Sequence, residues 1–420
     1  MKVSLQSIFR SHFDEFASDR KLPLRALKAA SAIRDCRTPA LGGRVLKCPE
    51  NHTSEIQYNA CRHRTCPKCA DAPRQRWLAA EGARVLPCEH YHVVFTLPHA
   101  LIALWEFNRV LLNQMLLDSA RESLLELCAD ERFMGGTPGL LMALHTWGRT
   151  LNRHPHVHCL ISAGGLDEQG GWRECRRNYL VPVRALQALF RGKLLHRLRT
   201  ALSRQRLKLP ERLDELQCAR SFAALYRKHW NIHLGQRYEH GRGVMLYLAR
   251  YVKGGPLSAE RELSHRDEQV SFGYTDHRDS RPKTMRLHAH HFIDRVLWHA
   301  PEPGQHMVRH CGLYASQARV RRDHSRKLLV LETPRSPVPE RALACHDPVM
   351  SFQPVCVECK RPLVVAQCLL PMHRNREFSL DTTGSGSPRL GPTSRWNGQP
   401  TADEISGLRR RSLRRCLPLT

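Results

Sequence analysis

Apolar and polar positions divide this chain into stretches of different period. Ile8, Phe13 and Phe16, then Leu22, Leu24, Leu27, Ala30 and Ile33, recur at helical spacing and predict two short helices within residues 1–35. His90–Thr96 alternates and stops at Leu97-Pro98, which predicts a strand. Leu101, Leu104, Trp105, Val110, Leu111, Met115, Leu116, Leu124 and Leu127 then mark one face of a single long helix from His99 to Ala129. The turn Gly135-Gly136-Thr137-Pro138-Gly139 leads into a strand over Leu140–His145. The apolar run after Pro155 predicts its neighbour, closed by Gly164-Gly165. Farther on, residues 184–208 read as a basic helix and Val244–Gly255 as a helix ended by Gly254-Gly255-Pro256. Val270–Tyr274 and Thr284–Leu287 read as strands joined by an Arg-rich turn, and Phe292–Trp298 as a helix.

Charge narrows the function. A formal net charge of +27 on 420 residues implies an anionic polymer as partner, nucleic acid first among them. The cationic residues are mostly Arg, which forks onto phosphate oxygens; a solvated face remains the bland reading for the 184–208 helix. Met1 to Ala17 is broken by Arg10, His12, Asp14 and Glu15 and does not read as a signal peptide, and no apolar run has the length of a membrane span. Sixteen cysteines in such a chain point to metal-bound thiolates in a reducing cytoplasm rather than to disulfides, with no membrane partner.

Between Cys36 and Cys69 core residues are scarce and metal-type ligands dense: Cys36, Cys48, His52, Cys61, His63, Cys66 and Cys69. Zinc supplies the stability such a stretch lacks. Cys66-Pro67-Lys68-Cys69 is a C-x2-C knuckle, and Cys48-x3-His52 its expected partner, with Cys61 or Cys36 competing for the fourth position. Arg62, Arg64, Lys68, Arg74 and Arg76 surround the knuckle and suit phosphate contacts.

In the strand after Pro155, His156 and His158 project from one face and Val157 and Cys159 from the other. Two neutral imidazoles side by side can share a divalent ion and leave positions open, although His-Val-His alone is more often plain surface strand. Tyr247 and Tyr251 stand one helical turn apart. Such a pair is usually packing, but beside a metal site in a basic protein a phenol can attack a polarised DNA phosphodiester, giving a 5′-phosphotyrosine and a free 3′-OH. Rejoining from that linkage needs no ATP, and the chain carries no G-x4-G-K-[ST] loop.

On Arg37–Gly43, Cys61–Cys69, His92–Pro98, His145–Leu160, Tyr247-Leu248-Ala249-Arg250-Tyr251 and Arg309–Tyr314, in order and over roughly residues 20–330, the sequence resembles the zinc-binding, two-tyrosine HUH transposases of bacterial insertion sequences, which move by a rolling circle. The resemblance implies an α+β fold: an N-terminal zinc-binding module, then an HUH-endonuclease domain with a central antiparallel sheet flanked by helices. It implies His156 and His158 as ligands of a catalytic Mg²⁺ or Mn²⁺, Tyr247 and Tyr251 as nucleophiles, and Cys36–Cys69 as a zinc-binding DNA-recognition module. Arg250 and Lys253, beside the tyrosines, join the DNA-contacting set. The family usually shows C-x2-C where this chain has Cys48-x3-His52. HUH sites commonly add a third ligand; His145 is the first choice and His154 the second.

The domains expected are 1–35 (helices), 36–85 (zinc module), 86–330 (catalytic), 331–372 (a small Cys-containing module) and 373–420 (a disordered basic tail). In the fourth, Cys356-x2-Cys359 has Cys345-His346 as candidate partners. The expected function is nicking and rejoining of single-stranded DNA at transposon ends and target, in a bacterial, nucleoid-associated protein for which a homodimer is an allowed assembly. The rival readings are a zinc-dependent DNA-binding regulator without catalysis and a plasmid replication initiator or relaxase of the same chemistry.

Overall fold

The computed structural model describes residues 3–176, 179–211, 213–238, 245, 249, 254–258, 261–276, 279–332 and 354–372. The chain forms two compact units, Met1–Cys36 with Cys61–Phe352 and Arg37–Ala60 with Gln353–Thr420. The stretch 36–85 is therefore divided between them.

The described helices are α1 (Leu5–Ser18), α2 (Leu24–Asp35), α3 (Asp71–Arg84), α4 (Ile102–Phe107), α5 (Arg109–Ala129), α6 (Val183–Ser203), α7 (Glu215–Tyr226), α8 (Ala289–Trp298) and α9 (Arg319–Glu332). The strands are β1 (Gly43–Lys47), β2 (Ser54–Tyr58), β3 (His90–Thr96), β4 (Thr137–Trp147), β5 (Arg153–Leu166), β6 (Trp172–Glu174), β7 (Ile232–Tyr238), β8 (Leu263–Arg266), β9 (Gln269–Thr275), β10 (Pro282–His288), β11 (Val308–Gly312) and β12 (Val364–Leu369).

In the larger unit a six-stranded sheet runs β11-β4-β5-β3-β7, with β6 on β5, every pairing antiparallel. The fold is thus α+β with a central antiparallel sheet flanked by helices, as expected from the sequence. Odd and even positions of the strands part cleanly. Tyr91, Val93 and Phe95 of β3, Leu140, Met142 and Leu144 of β4 and Val157, Cys159 and Ile161 of β5 enter one core with Leu116 and Leu124 of α5, Phe190 and Leu194 of α6 and Phe222 of α7. Burying residues of this size contributes about 1.5–3 kcal/mol each.

Two local expectations change. The strand after Pro155 runs through Gly164-Gly165 to Leu166 because β6 pairs there. The Trp172 indole lies so close that a Cβ on Gly164 would come within 2.6 Å of its ring. The long helix breaks at Asn108 (φ −131°), which separates α4 from α5. The Asn108 amide donates to Leu104 O (2.9 Å) and Lys208 O (2.7 Å) and accepts from Lys208 N (2.8 Å), so a contact 100 residues away replaces helical continuity.

A second antiparallel sheet, β8-β9-β10, covers a core shared by α1, α2 and α8, with Phe9, Phe13, Ile33, Phe272 and Phe292 inside. In the smaller unit β12-β1-β2 form a third antiparallel sheet. Among the described residues no helix is long and apolar enough to cross a membrane. The 373–420 tail lies outside the described residues, as do Cys345 and His346.

Candidate active site and metal clusters

The sheet face opposite the helical core carries the histidines. Register places His145 of β4 opposite His156 of β5 and Ala143 opposite His158. Imidazoles from two neighbouring strands therefore converge: the His145 ring lies 4.3 Å from that of His158 and 5.3 Å from that of His156. One ligand atom from each of the three lies within 4.8 Å of the others. All three side chains are buried. The ring of His154, the second choice for a third ligand, lies tilted 5.0 Å from that of His156 but outside this group.

Hydrogen bonds set the tautomers. His156 Nδ1 meets His154 O at 2.6 Å and must donate to that carbonyl, which puts its lone pair on Nε2. His158 Nδ1 meets His92 Nε2 at 2.9 Å. With Nδ1 of His158 as donor and His92 as acceptor, His158 too is the tautomer with its lone pair on Nε2. Burial, with His154 beside it, pushes the His156 pKa down to about 3. Burial and the other imidazoles push His145 and His158 well below the ordinary range, and burial pushes His92 to about 4. All four rings are neutral at pH 7, the form that binds metal.

His92 was missed as a site residue. The signal was present: His90-x-His92 on β3 has the parity that puts both on the histidine face, since Tyr91 and Val93 enter the helical core.

Tyr247, Tyr251, Arg250 and Lys253 lie outside the described residues. Two neighbours are described: Met245 and Ala249 are helical and buried, in a cluster with Leu141 and Ala143 of β4 and Leu160 of β5. Those strand residues share the parity of His145, His156 and His158. Met245 and Ala249 thus pack on the histidine face. Beyond them, Gly254 O accepts from Arg64 Nε at 3.5 Å, and Gly255 lies so close to Thr65 that a Cβ would come within 2.9 Å of Thr65 O. Burial lowers the Arg64 pKa to about 10, and the Arg64 charge acts on His145.

Tyr314 belongs to the same cluster but is sealed. Its hydroxyl donates to His90 Nε2 (2.6 Å) and accepts from Leu86 N (3.2 Å), and its ring lies over Gly139, where a Cβ would come within 2.5 Å.

Seven of the described cysteines fall into two clusters. Cys36, Cys61, Cys66 and Cys69 form one, with Cys36 Sγ 3.4 Å and Cys61 Sγ 3.6 Å from Cys69 Sγ. A hydrogen bond from Cys66 is the main cause holding Cys61 down to about 5. Cys48 and His52 cluster with Cys356 and Cys359. The ligand set chosen from sequence, Cys48, His52, Cys66 and Cys69, therefore takes half from each. Cys36 and Cys61, the alternatives, belong with Cys66 and Cys69 because α2 ends at Asp35 and delivers Cys36 to the knuckle. Among the basic residues of the knuckle, Lys68 donates to Gln6 (2.6 Å) and Arg74 pairs with Asp71 (3.0 Å), whereas Arg62 is exposed.

Residues 8–97 match the family model described as "Transposase zinc-binding domain" and residues 139–322 the one described as "Putative transposase". The class of protein is a transposase with a zinc-binding domain, and DNA is its partner. The chain is 33% identical over 319 residues, 74% of its own length and 80% of the relative's, to the "Putative transposase y4qJ" of Sinorhizobium fredii. It is also 33% identical over 295 residues, 67% of its length and 68% of the relative's, to the transposase for insertion sequence element IS801 of Pseudomonas savastanoi pv. phaseolicola. The chain belongs to the zinc-binding two-tyrosine transposases of insertion sequences, the family of the IS801 transposase. No solved structure matches it.

Proposed function

We propose that this transposase nicks and rejoins single-stranded DNA at the ends of its insertion sequence and at the target, through a 5′-phosphotyrosine intermediate, by the rolling-circle route of HUH enzymes. One observation carries the reading: His145, His156 and His158 share a sheet face with Met245 and Ala249, the helical residues that bracket Tyr247. In this reading the three imidazoles hold a Mg²⁺ or Mn²⁺, which when bound polarises the scissile phosphodiester. The phenol oxygen of Tyr247 or Tyr251 bonds to phosphorus, the P–O3′ bond breaks, and the phenolic proton ends on the departing 3′-OH. The linkage keeps a phosphodiester, so a 3′-OH can reverse the step without ATP. The second tyrosine takes a second cleavage while the first strand is still attached. Tyr314 is no rival nucleophile, because its hydroxyl is buried and committed to His90 and Leu86.

Cys36, Cys61, Cys66 and Cys69 hold the structural zinc in this reading; sulfurs 3.4–3.6 Å apart fit a tetrahedron of about 2.3 Å Zn–S bonds. Arg62, Lys68, Arg74, Arg250 and Lys253 contact phosphates, whereas Arg64 is turned inward to Gly254 O. The protein works in the bacterial cytoplasm, on the nucleoid.

The test is incubation with Mn²⁺ and a single-stranded oligonucleotide carrying the element's end. A covalent adduct forms with the wild type. Tyr247→Phe with Tyr251→Phe abolishes it, and His156→Ala with His158→Ala abolishes it while DNA binding persists. An adduct from the double tyrosine variant refutes the nucleophiles. Binding without any adduct by the wild type supports a zinc-dependent regulator instead.

A further inference from the structure

Among its described residues the smaller unit has almost no hydrophobic core. Its buried apolar cluster is Leu46, Cys48, Cys356 and Leu363, with Cys359 partly buried against it, while Ile56, Val364 and Val365 of its sheet stay exposed. Burial on that scale does not offset the ordering of a three-stranded sheet and its loops. Something else closes the unit, and the side chains at its centre identify it.

We propose that Cys48, His52, Cys356 and Cys359 bind a second structural zinc, separate from the Cys36–Cys61–Cys66–Cys69 site and completed by the C-terminal part of the chain. Cys48 Sγ lies 3.4 Å from Cys359 Sγ and 3.7 Å from His52 Nδ1, and Cys356 Sγ lies 3.9 Å from His52 Nδ1. A zinc tetrahedron with bonds of about 2.3 Å to sulfur and 2.0–2.1 Å to nitrogen has edges of about 3.6–3.8 Å. The three separations lie within about 0.2 Å of that range, and the cysteines of the cluster are free thiols.

The backbone around it has the form of two ligand turns. Asn51 (φ 60°), between Cys48 and His52, and Lys360 (φ 59°), after Cys359, both adopt the left-handed region, and Asn51 N donates to Cys48 O at 2.9 Å. Glu50 N donates to Cys48 Sγ at 3.4 Å, and the backbone N–H groups of Glu358 and Cys359 address Cys356 Sγ. Donors of this kind stabilise thiolates and orient them toward a cation. Cys356 and Cys359 lie outside both family matches, which end at residues 97 and 322.

The full-length protein, purified without chelator, is to be assayed for zinc by native mass spectrometry. Two zinc ions per chain are expected, falling to one in Cys356→Ser with Cys359→Ser. A wild type that carries one zinc, or a serine variant that keeps two, overturns the proposal. Cobalt exchange of His52→Cys adds a readout that does not depend on a damaged fold. The wild type then has seven thiolate ligands, four from one cluster and three from the other, and the variant eight. The sulfur-to-cobalt charge-transfer band should rise by about one part in seven, and an unchanged band removes His52 from the site.

Discussion

His92→Phe tests the histidine site through a side chain that need not touch the metal. In the 2.9 Å contact between His92 Nε2 and His158 Nδ1, made by rings stacked within 15°, an accepting His92 holds the His158 tautomer with its lone pair on Nε2. Burial keeps His92 neutral, with a pKa of about 4, so its Nε2 is able to accept at pH 7. Phenylalanine fills similar space and accepts nothing. Loss of such a partner typically costs a metal ligand ten- to a hundred-fold in affinity, about 1.4–2.7 kcal/mol. Cleavage of an end-containing oligonucleotide, titrated with Mn²⁺, should therefore show half-saturation shifted upward by that factor and a plateau rate within a few-fold of wild type. His92→Gln, whose side-chain oxygen still accepts, should recover part of the shift. An unchanged half-saturation, or a plateau that excess Mn²⁺ cannot restore, would refute the argument that His92 acts through His158.

Arg64→Ala should slow cleavage more than it weakens DNA binding, because the guanidinium acts on His145 and holds Gly254 O rather than lying on open surface; the logarithmic salt slope of binding should change by at most about 1. His299 is buried, with its Nε2 3.1 Å from Leu151 O and its Nδ1 3.2 Å from Thr146 Oγ1, and burial lowers its pKa to about 3. Its folded-state pKa lies below the unfolded value, so its contribution is complete above pH 6.5 and is lost as pH falls toward 3, amounting to about 5 kcal/mol at most. His299→Gln should flatten the acid limb of a stability–pH curve measured by denaturant unfolding, and an identical slope would contradict the assignment. Phe190→Ala, beside Phe95 (4.8 Å) and Trp230 (5.6 Å), should cost about 3–5 kcal/mol in thermal unfolding. It should leave cleavage intact at low temperature; a loss below 1 kcal/mol would mean that this core is loosely packed.

What could be read in the sequence was local. Alternation in β5 separated His156 and His158 from Val157 and Cys159, and proximity of two strands suggested His145 as their neighbour. What escaped depends on distant partners. The smaller cysteine cluster joins positions 311 residues apart, so no spacing rule pairs Cys48 with Cys359. Val308–Gly312 carries Arg309 and His310 and has no amphipathic signature, yet it pairs with β4 as a strand. Helix α9 is dense in Arg, and buries Leu329 against the sheet. Asn108 breaks a good helical pattern only because Lys208 is there to meet it.

The order of synthesis gives the β12-β1-β2 sheet a consequence of its own. β1 and β2 leave the ribosome early, but their third strand and half of the Cys48 cluster follow more than 300 residues later. At roughly 5–20 residues per second, that is a delay on the order of half a minute. Throughout it Cys48 and His52 wait with neither a sheet edge covered nor a full ligand shell. A chain that ends between residues 352 and 364 has its larger unit translated in full while its smaller one lacks β12. Only a polypeptide read past Leu369 has both.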